Sequence, residues 1–174
     1  MKNTICFFLI TCFISSCIND NKNLNVNSSV DQIKKQAVKV AENYVNGQLK
    51  DSKKTMKNDG SIIFSAGDTK CLIDPSYIII GEIDGDSYKD AIVSIFTFNG
   101  QRLPLKEHLI LINKNGKLWI SKELNGEMKF LSISNRTIFI ETSKMAPDSP
   151  FADCQACKVI KKYKFIAGDT VIIK

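Results

Sequence analysis

From Gly60 onward the chain is a series of short apolar runs, rich in Ile, Val, Leu and Phe, each cut by a turn signal. This pattern constrains the fold more than any other feature. β-Branched and aromatic residues suit a pleated surface, and Asn, Gly, Asp and Pro interrupt it. Runs at 61–65, 69–73, 77–83, 91–98, 107–113 and 117–122 read as strands, and similar runs continue to residue 173. Lys114-Asn115-Gly116 and Ser134-Asn135 read as hairpin turns, and a loop with Pro147 and Pro150 spans 143–157. Sequential strands with short connections predict an antiparallel, mostly meander sheet of about nine strands, curled or barrel-like.

One segment breaks the β pattern. Ile33, Ala37, Val40, Ala41, Tyr44 and Val45 recur at three- and four-residue steps, with Lys34, Lys35, Lys39 and Glu42 off the stripe. That is an amphipathic helix, with Ser28 or Ser29 as its expected cap. Residues 49–57 are expected either to continue it as a frayed end or to form a charged linker. The fold class is therefore α+β: one helix packed on the sheet, as a single domain over 30–174. With 44% hydrophobic and 24% charged residues the chain can bury a core. That balance excludes a disordered, a collagen-like or a polytopic membrane protein.

The first 16 residues form a different unit. Lys2 is the only charge there, and an apolar stretch from Ile5 to Ile14 follows, broken by Thr11. It is short for a membrane span and has the order of a secretory signal. Ile14-Ser15-Ser16-Cys17 resembles the lipobox of bacterial lipoproteins. The resemblance implies cleavage before Cys17 and acylation of its thiol. It also implies anchorage of the mature chain in the cell envelope: at the outer membrane in a Gram-negative host, because Ile18 and not Asp follows, or on the outer face of the single membrane in a Gram-positive one. Residues 17–29, rich in Asn, are expected to be a flexible tether. Acyl chains anchor strongly, each buried methylene contributing about 0.8 kcal/mol.

The chain has 24 Lys and Arg against 18 Asp and Glu, and losing Lys2 with the signal leaves 23 against 18. The basic residues are not interleaved with aromatics, which argues against nucleic acid as a partner. Of six cysteines, Cys6 and Cys12 leave with the signal, and Cys71, Cys154 and Cys157 remain besides Cys17. In an oxidising compartment a structural disulfide among these three is expected, with the pairing open. Cys154-Gln155-Ala156-Cys157 also permits a thiol oxidoreductase, and His108 with the thiols permits zinc. The CxxC precedes a strand and does not open a helix, which weighs against redox chemistry.

The stretch from Gly81 to Val93 places carboxylates at alternate positions: Glu82, Asp84, Asp86 and then Asp90. Calcium takes six to eight oxygen ligands, and a tight loop can aim alternate side chains at one centre. The loop resembles the Asp-rich calcium loops of FG-GAP and VCBS-type repeats. That resemblance implies Glu82, Asp84, Asp86, Asp90 and the Tyr88 carbonyl as ligands of a Ca²⁺ ion. Two departures are Glu82 at the first position and Ser87 where Gly is usual. The other reading is a polar turn whose Asp side chains bond their own backbone.

His108 is the only histidine, and its alternating run suits a satisfied strand residue. Trp119 and the Phe residues are expected in the core. No nucleophile elbow, P-loop or dinucleotide fingerprint occurs. These features together predict a non-enzymatic, lipid-anchored binding module whose partner is an envelope protein or surface ligand. The alternatives are an inhibitor or immunity-type lipoprotein against a cell-wall hydrolase, or a thiol oxidoreductase.

Overall fold

The structure is a computed structural model and describes residues 26–100, 103–144, 154–166 and 169–173. The leader, Cys17 and most of the tether lie outside the described residues, as does most of the 143–157 loop. The fold is α+β. One helix, α1 (Val26–Gln48), precedes ten strands. These are β1 (Lys53–Met56), β2 (Ile62–Ala66), β3 (Thr69–Gly81), β4 (Asp90–Phe98), β5 (Leu105–Lys114), β6 (Lys117–Asn125), β7 (Lys129–Ser134), β8 (Thr137–Ser143), β9 (Lys158–Ile166) and β10 (Asp169–Ile173).

All pairings are antiparallel, but the meander is split in two. β1 to β6 form one sheet in chain order, and β7 to β10 form a second. The sheets do not close into a barrel. The central strands explain why. β4 and β5 are apolar without alternation, and Ala91 through Ile95 and His108 through Asn113 are all buried. Such runs need cover on both faces. The helix covers one face: Ile33, Ala37, Ala41 and Val45 pack with Phe64, Ile73, Val93 and Leu111. The second sheet covers the other: Phe130, Ile138 and Ile140 pack with Ile92, Ile110 and Ile112. Continuing as one sheet would have left that second apolar face in water.

The helix starts at Val26, so Ser28 and Ser29 fall inside it and do not cap it. The segment after it is neither frayed helix nor linker throughout, since 53–56 form β1. All four β1 residues are exposed, so no apolar alternation marks the strand. It is held by pairing with β2 and by Lys54, whose ammonium lies 2.6 Å from the buried Glu42 carboxylate of α1. The runs at 69–73 and 77–83 merge into one long strand, β3, with an irregularity between Ile73 and Ile78 at the site of Pro75. Among the described residues no helix is long and apolar enough to cross a membrane.

Candidate functional site

Three connections meet at one end of the two sheets: the acidic loop between β3 and β4, the β5–β6 turn and the β7–β8 turn. The acidic loop is knitted in place by two buried residues. Asp90 is fully buried; its Oδ2 accepts from the Ile83 amide at 2.6 Å and its Oδ1 from the Asn113 amide at 2.9 Å. Asn113 in turn donates from Nδ2 to the Lys89 carbonyl at 3.0 Å and accepts at Oδ1 from the Gly116 amide at 2.8 Å. Burial pushes the Asp90 carboxyl up, against the two amide bonds, and the nearby Asp84 and Asp86 charges push the same way.

The remaining acids face outward and meet cations of the chain itself. Asp84 accepts from Lys114 Nζ at 2.5 Å, and Asp86 lies 3.7 Å from the same ammonium. Burial alone would raise the Asp84 carboxyl; the Lys114 ammonium and the hydrogen bonds from Asp86 together outweigh it and hold the group below its ordinary range. Arg136 donates from Nη2 to the Asp84 carbonyl at 3.0 Å, with its Nε 4.0 Å from Glu82. Asp84 also accepts from the Asp86 amide, and Asp86 from the Tyr88 amide at 3.0 Å. Among the described residues no three acids, cysteines or histidines converge as a metal group.

Three backbone features accompany this packing. An added Cβ at Gly85 would fall inside the Arg136 guanidinium, so only glycine lets the loop and the arginine meet. Ser87 takes a φ of +71°, a conformation that glycine adopts far more readily. Arg136 itself sits at φ +60° beside Asn135 at +47°. A two-residue turn with both residues left-handed ordinarily uses Asn-Gly, and a side-chain-bearing residue costs roughly 1–2 kcal/mol there. The arginine is kept in that conformation where its guanidinium closes over the acidic loop.

Beside this cluster lies a groove at the seam between the sheets. One hollow of about 440 Å³ is lined by Ile112, Trp119, Ile120, Ser121 and Phe165, with Asp84 and Lys114 at its end. A second, of about 220 Å³, shares Asp84 and Phe165 and continues to Arg136, Lys164 and Ile166. Trp119 and Ile112 are cross-strand partners at the edge of the first sheet, and Phe165 comes from β9 of the second. Trp119 is not a core residue as its alternating position suggested. It is 54% exposed, with Lys117 Nζ 4.2 Å from its ring centroid. β6 is the edge strand of the first sheet, and only Leu124 of it packs against the core under the second sheet, so alternation near Trp119 does not mark burial.

The other expected site residues are scattered. Cys154 and Cys157 lie at disulfide distance from each other, with Cα atoms 5.2 Å apart, around a 3-10 turn, Gln155–Cys157. Cys71 is a free, buried thiol in the helix-side core, bonded to Thr97 Oγ1 at 3.2 Å. Burial pushes it up. His108 lies on the opposite face of the first sheet, against Phe130, so the structure does not bring Cys71 and His108 together. Both His108 nitrogens are engaged. Nδ1 accepts from the Ser94 hydroxyl at 2.9 Å, and Nε2 donates to the Gly126 carbonyl at 3.2 Å.

Lys114, Arg136, Asn113 and Phe165 were not read from the sequence as site residues, Lys114 only as part of a hairpin turn. The β7–β8 turn is Asn135-Arg136 and not Ser134-Asn135, so Arg136, expected to open a strand, sits in a position that favours glycine. Lys114 and Phe165 join the site through contacts across some 30 and 80 residues of chain, which periodicity does not encode. Comparison with known proteins returns no match: no family model, no curated relative and no solved structure resembles the chain closely enough to lend it a function.

Proposed function

We propose that the chain is a lipid-anchored protein of a bacterial envelope whose domain serves as a binding module, and that its partner enters the groove beside Trp119. The anchor follows from the lipobox-like Ile14-Ser15-Ser16-Cys17. The binding role is carried by one observation: an exposed indole walls an apolar groove whose other end is set by the Lys114–Asp84 pair. Exposed tryptophan beside apolar floor and fixed polar groups is the usual make-up of a recognition site. A photo-crosslinking amino acid placed at Trp119 in the full chain, produced in bacteria, is expected to give an adduct of defined mass. The same group at Lys35, on the exposed side of α1, is expected to give none. Equal products from both positions, or none from Trp119, would remove the groove as the site. A cell-wall hydrolase in the adduct would make the protein an inhibitor or immunity-type lipoprotein.

A second reading concerns calcium, and the observation that favours it is the gathering of Asp84 and Asp86 around one ammonium. Calcium would enter by displacing Lys114, with Glu82 and the Tyr88 carbonyl as further oxygens. Asp90 would serve from behind, because both its oxygens already hold backbone amides. Under this reading millimolar Ca²⁺ raises the melting temperature of Lys114→Ala at least as much as that of the wild type, and Asp84→Ala with Asp86→Ala abolishes the rise. At a hundredfold excess over Kd the gain is about 2.7 kcal/mol. No rise in either protein leaves the ammonium as the loop's counter-ion.

A further inference from the structure

The second sheet has an outer face that nothing among the described residues covers, and its chemistry is unusual for a surface in water. The register of β9 against β8 defines it. Lys158 lies opposite Ser143, Ile160 opposite Glu141, Lys162 opposite Phe139 and Lys164 opposite Thr137. The alternate residues, Tyr163 and Phe165, point inward to the sheet–sheet core. On the outer face Ile160 is 63% and Ile166 55% exposed. Between them stand Lys162 and Lys164, both exposed, and Lys162 Nζ lies 5.9 Å from the Phe139 ring. Lys129 of β7 joins the same face opposite Glu141. Glu141 is itself within 3.3 Å of Lys158, so that acid is already matched, and Asp169 of β10, opposite Ile166, stands at the far end of the face.

We propose that this face rests on a bilayer surface rich in anionic lipid, with Ile160 and Ile166 in the interfacial layer and Lys129, Lys162 and Lys164 among the head groups. Two features select that occupant. The first is charge: lysines on long stems can keep their ammonium groups at head-group level while neighbouring aliphatic side chains leave water. The second is reach. Nine residue steps separate Cys17 from Val26, where the helix begins, a span of about 30 Å when extended. Tether length counts only under the anchored reading above; the charges and the exposed isoleucines stand without it. With an acyl chain in place, the domain stays within about its own diameter of the membrane, where a modest patch is enough to set its orientation.

The test uses the chain from Ile18 to Lys174, which contains every described helix and strand and carries no acyl group. It is sedimented with vesicles of phosphatidylglycerol and phosphatidylethanolamine, and separately with phosphatidylcholine alone. Retention is expected on the first and not the second, with release by about 0.5 M salt as screening shortens to a few ångströms. Each lysine near such a surface contributes about fivefold, so Lys162→Gln with Lys164→Gln is expected to weaken retention about 25-fold at an unchanged unfolding midpoint. Ile160→Ser with Ile166→Ser is expected to weaken it as well. Equal retention on both lipids, no retention on either, or an unaltered lysine variant would overturn the proposal. Preferential capture of soluble polyglutamate over the anionic vesicles would overturn it in favour of an acidic protein partner. Because no acyl chain is present, these outcomes are independent of whether Cys17 is modified.

Discussion

Single residues in this protein show how burial decides what a polar group does. Asp90 reads in the sequence as one more member of an acidic loop, yet it is the buried acceptor that ties the loop to the Asn113 amide. His108 is comparable. Burial, against the Gly126 carbonyl bond, holds its imidazole below the ordinary histidine value of 6.5. The unfolded chain titrates near that value, so below it the unfolded state binds more protons than the folded one. Stability is therefore present above pH 6.5 and is lost as the pH falls from there toward the folded pKa. Urea unfolding at about pH 7.5 and about pH 5.5 checks this. The wild type is expected to lose more stability over that interval than His108→Gln. An equal loss in both would place the pH sensitivity elsewhere. Its role as a satisfied strand residue was legible from the alternation of 107–110; its partners, Ser94 and Gly126, were not, because they lie on other segments.

At the scale of elements, what the sequence revealed depended on whether a strand was covered on one face or two. The helix stripe was fully legible, since Ile33, Ala37, Ala41 and Val45 face a single surface. The central strands were legible as strands, but the expectation of one curled or barrel-like sheet missed their continuous apolar character, which calls for a second covering layer and is met by a second sheet. β1 left no signal because none of its residues is buried. The contact between the sheets rests on close approach at Gly81, the last residue of β3. A Cβ there would stand 2.5 Å from that of Ile133 in β7 and 3.1 Å from the Ile133 carbonyl oxygen. Gly81→Ala must push the sheets apart or bend β3 beside the acidic loop. A loss of about 1–3 kcal/mol is expected, as for other overpacking changes, read as a lower urea midpoint. An unchanged midpoint would show that the sheets are not in intimate contact there.

As a whole molecule the protein is a three-layer domain, helix on sheet on sheet, with the groove proposed as its binding site at the seam between the sheets, beside Trp119 of β6. The seam could not be read from the sequence, since Trp119, Ile112 and Phe165 meet only after the chain has folded back over its first sheet. The proposed address, in contrast, rests on local sequence alone, about twenty residues before the domain. Anchorage at Cys17 is the claim on which the envelope location and the nearness of the outer β9 face to a membrane both depend. Its most direct measurement is incorporation of labelled palmitate during synthesis in bacteria, with membrane fractionation alongside. Label is expected in the wild type, in the membrane fraction, and is expected to be absent from Cys17→Ser. Equal labelling of the two proteins, or an unlabelled wild type recovered from the soluble fraction, would contradict it.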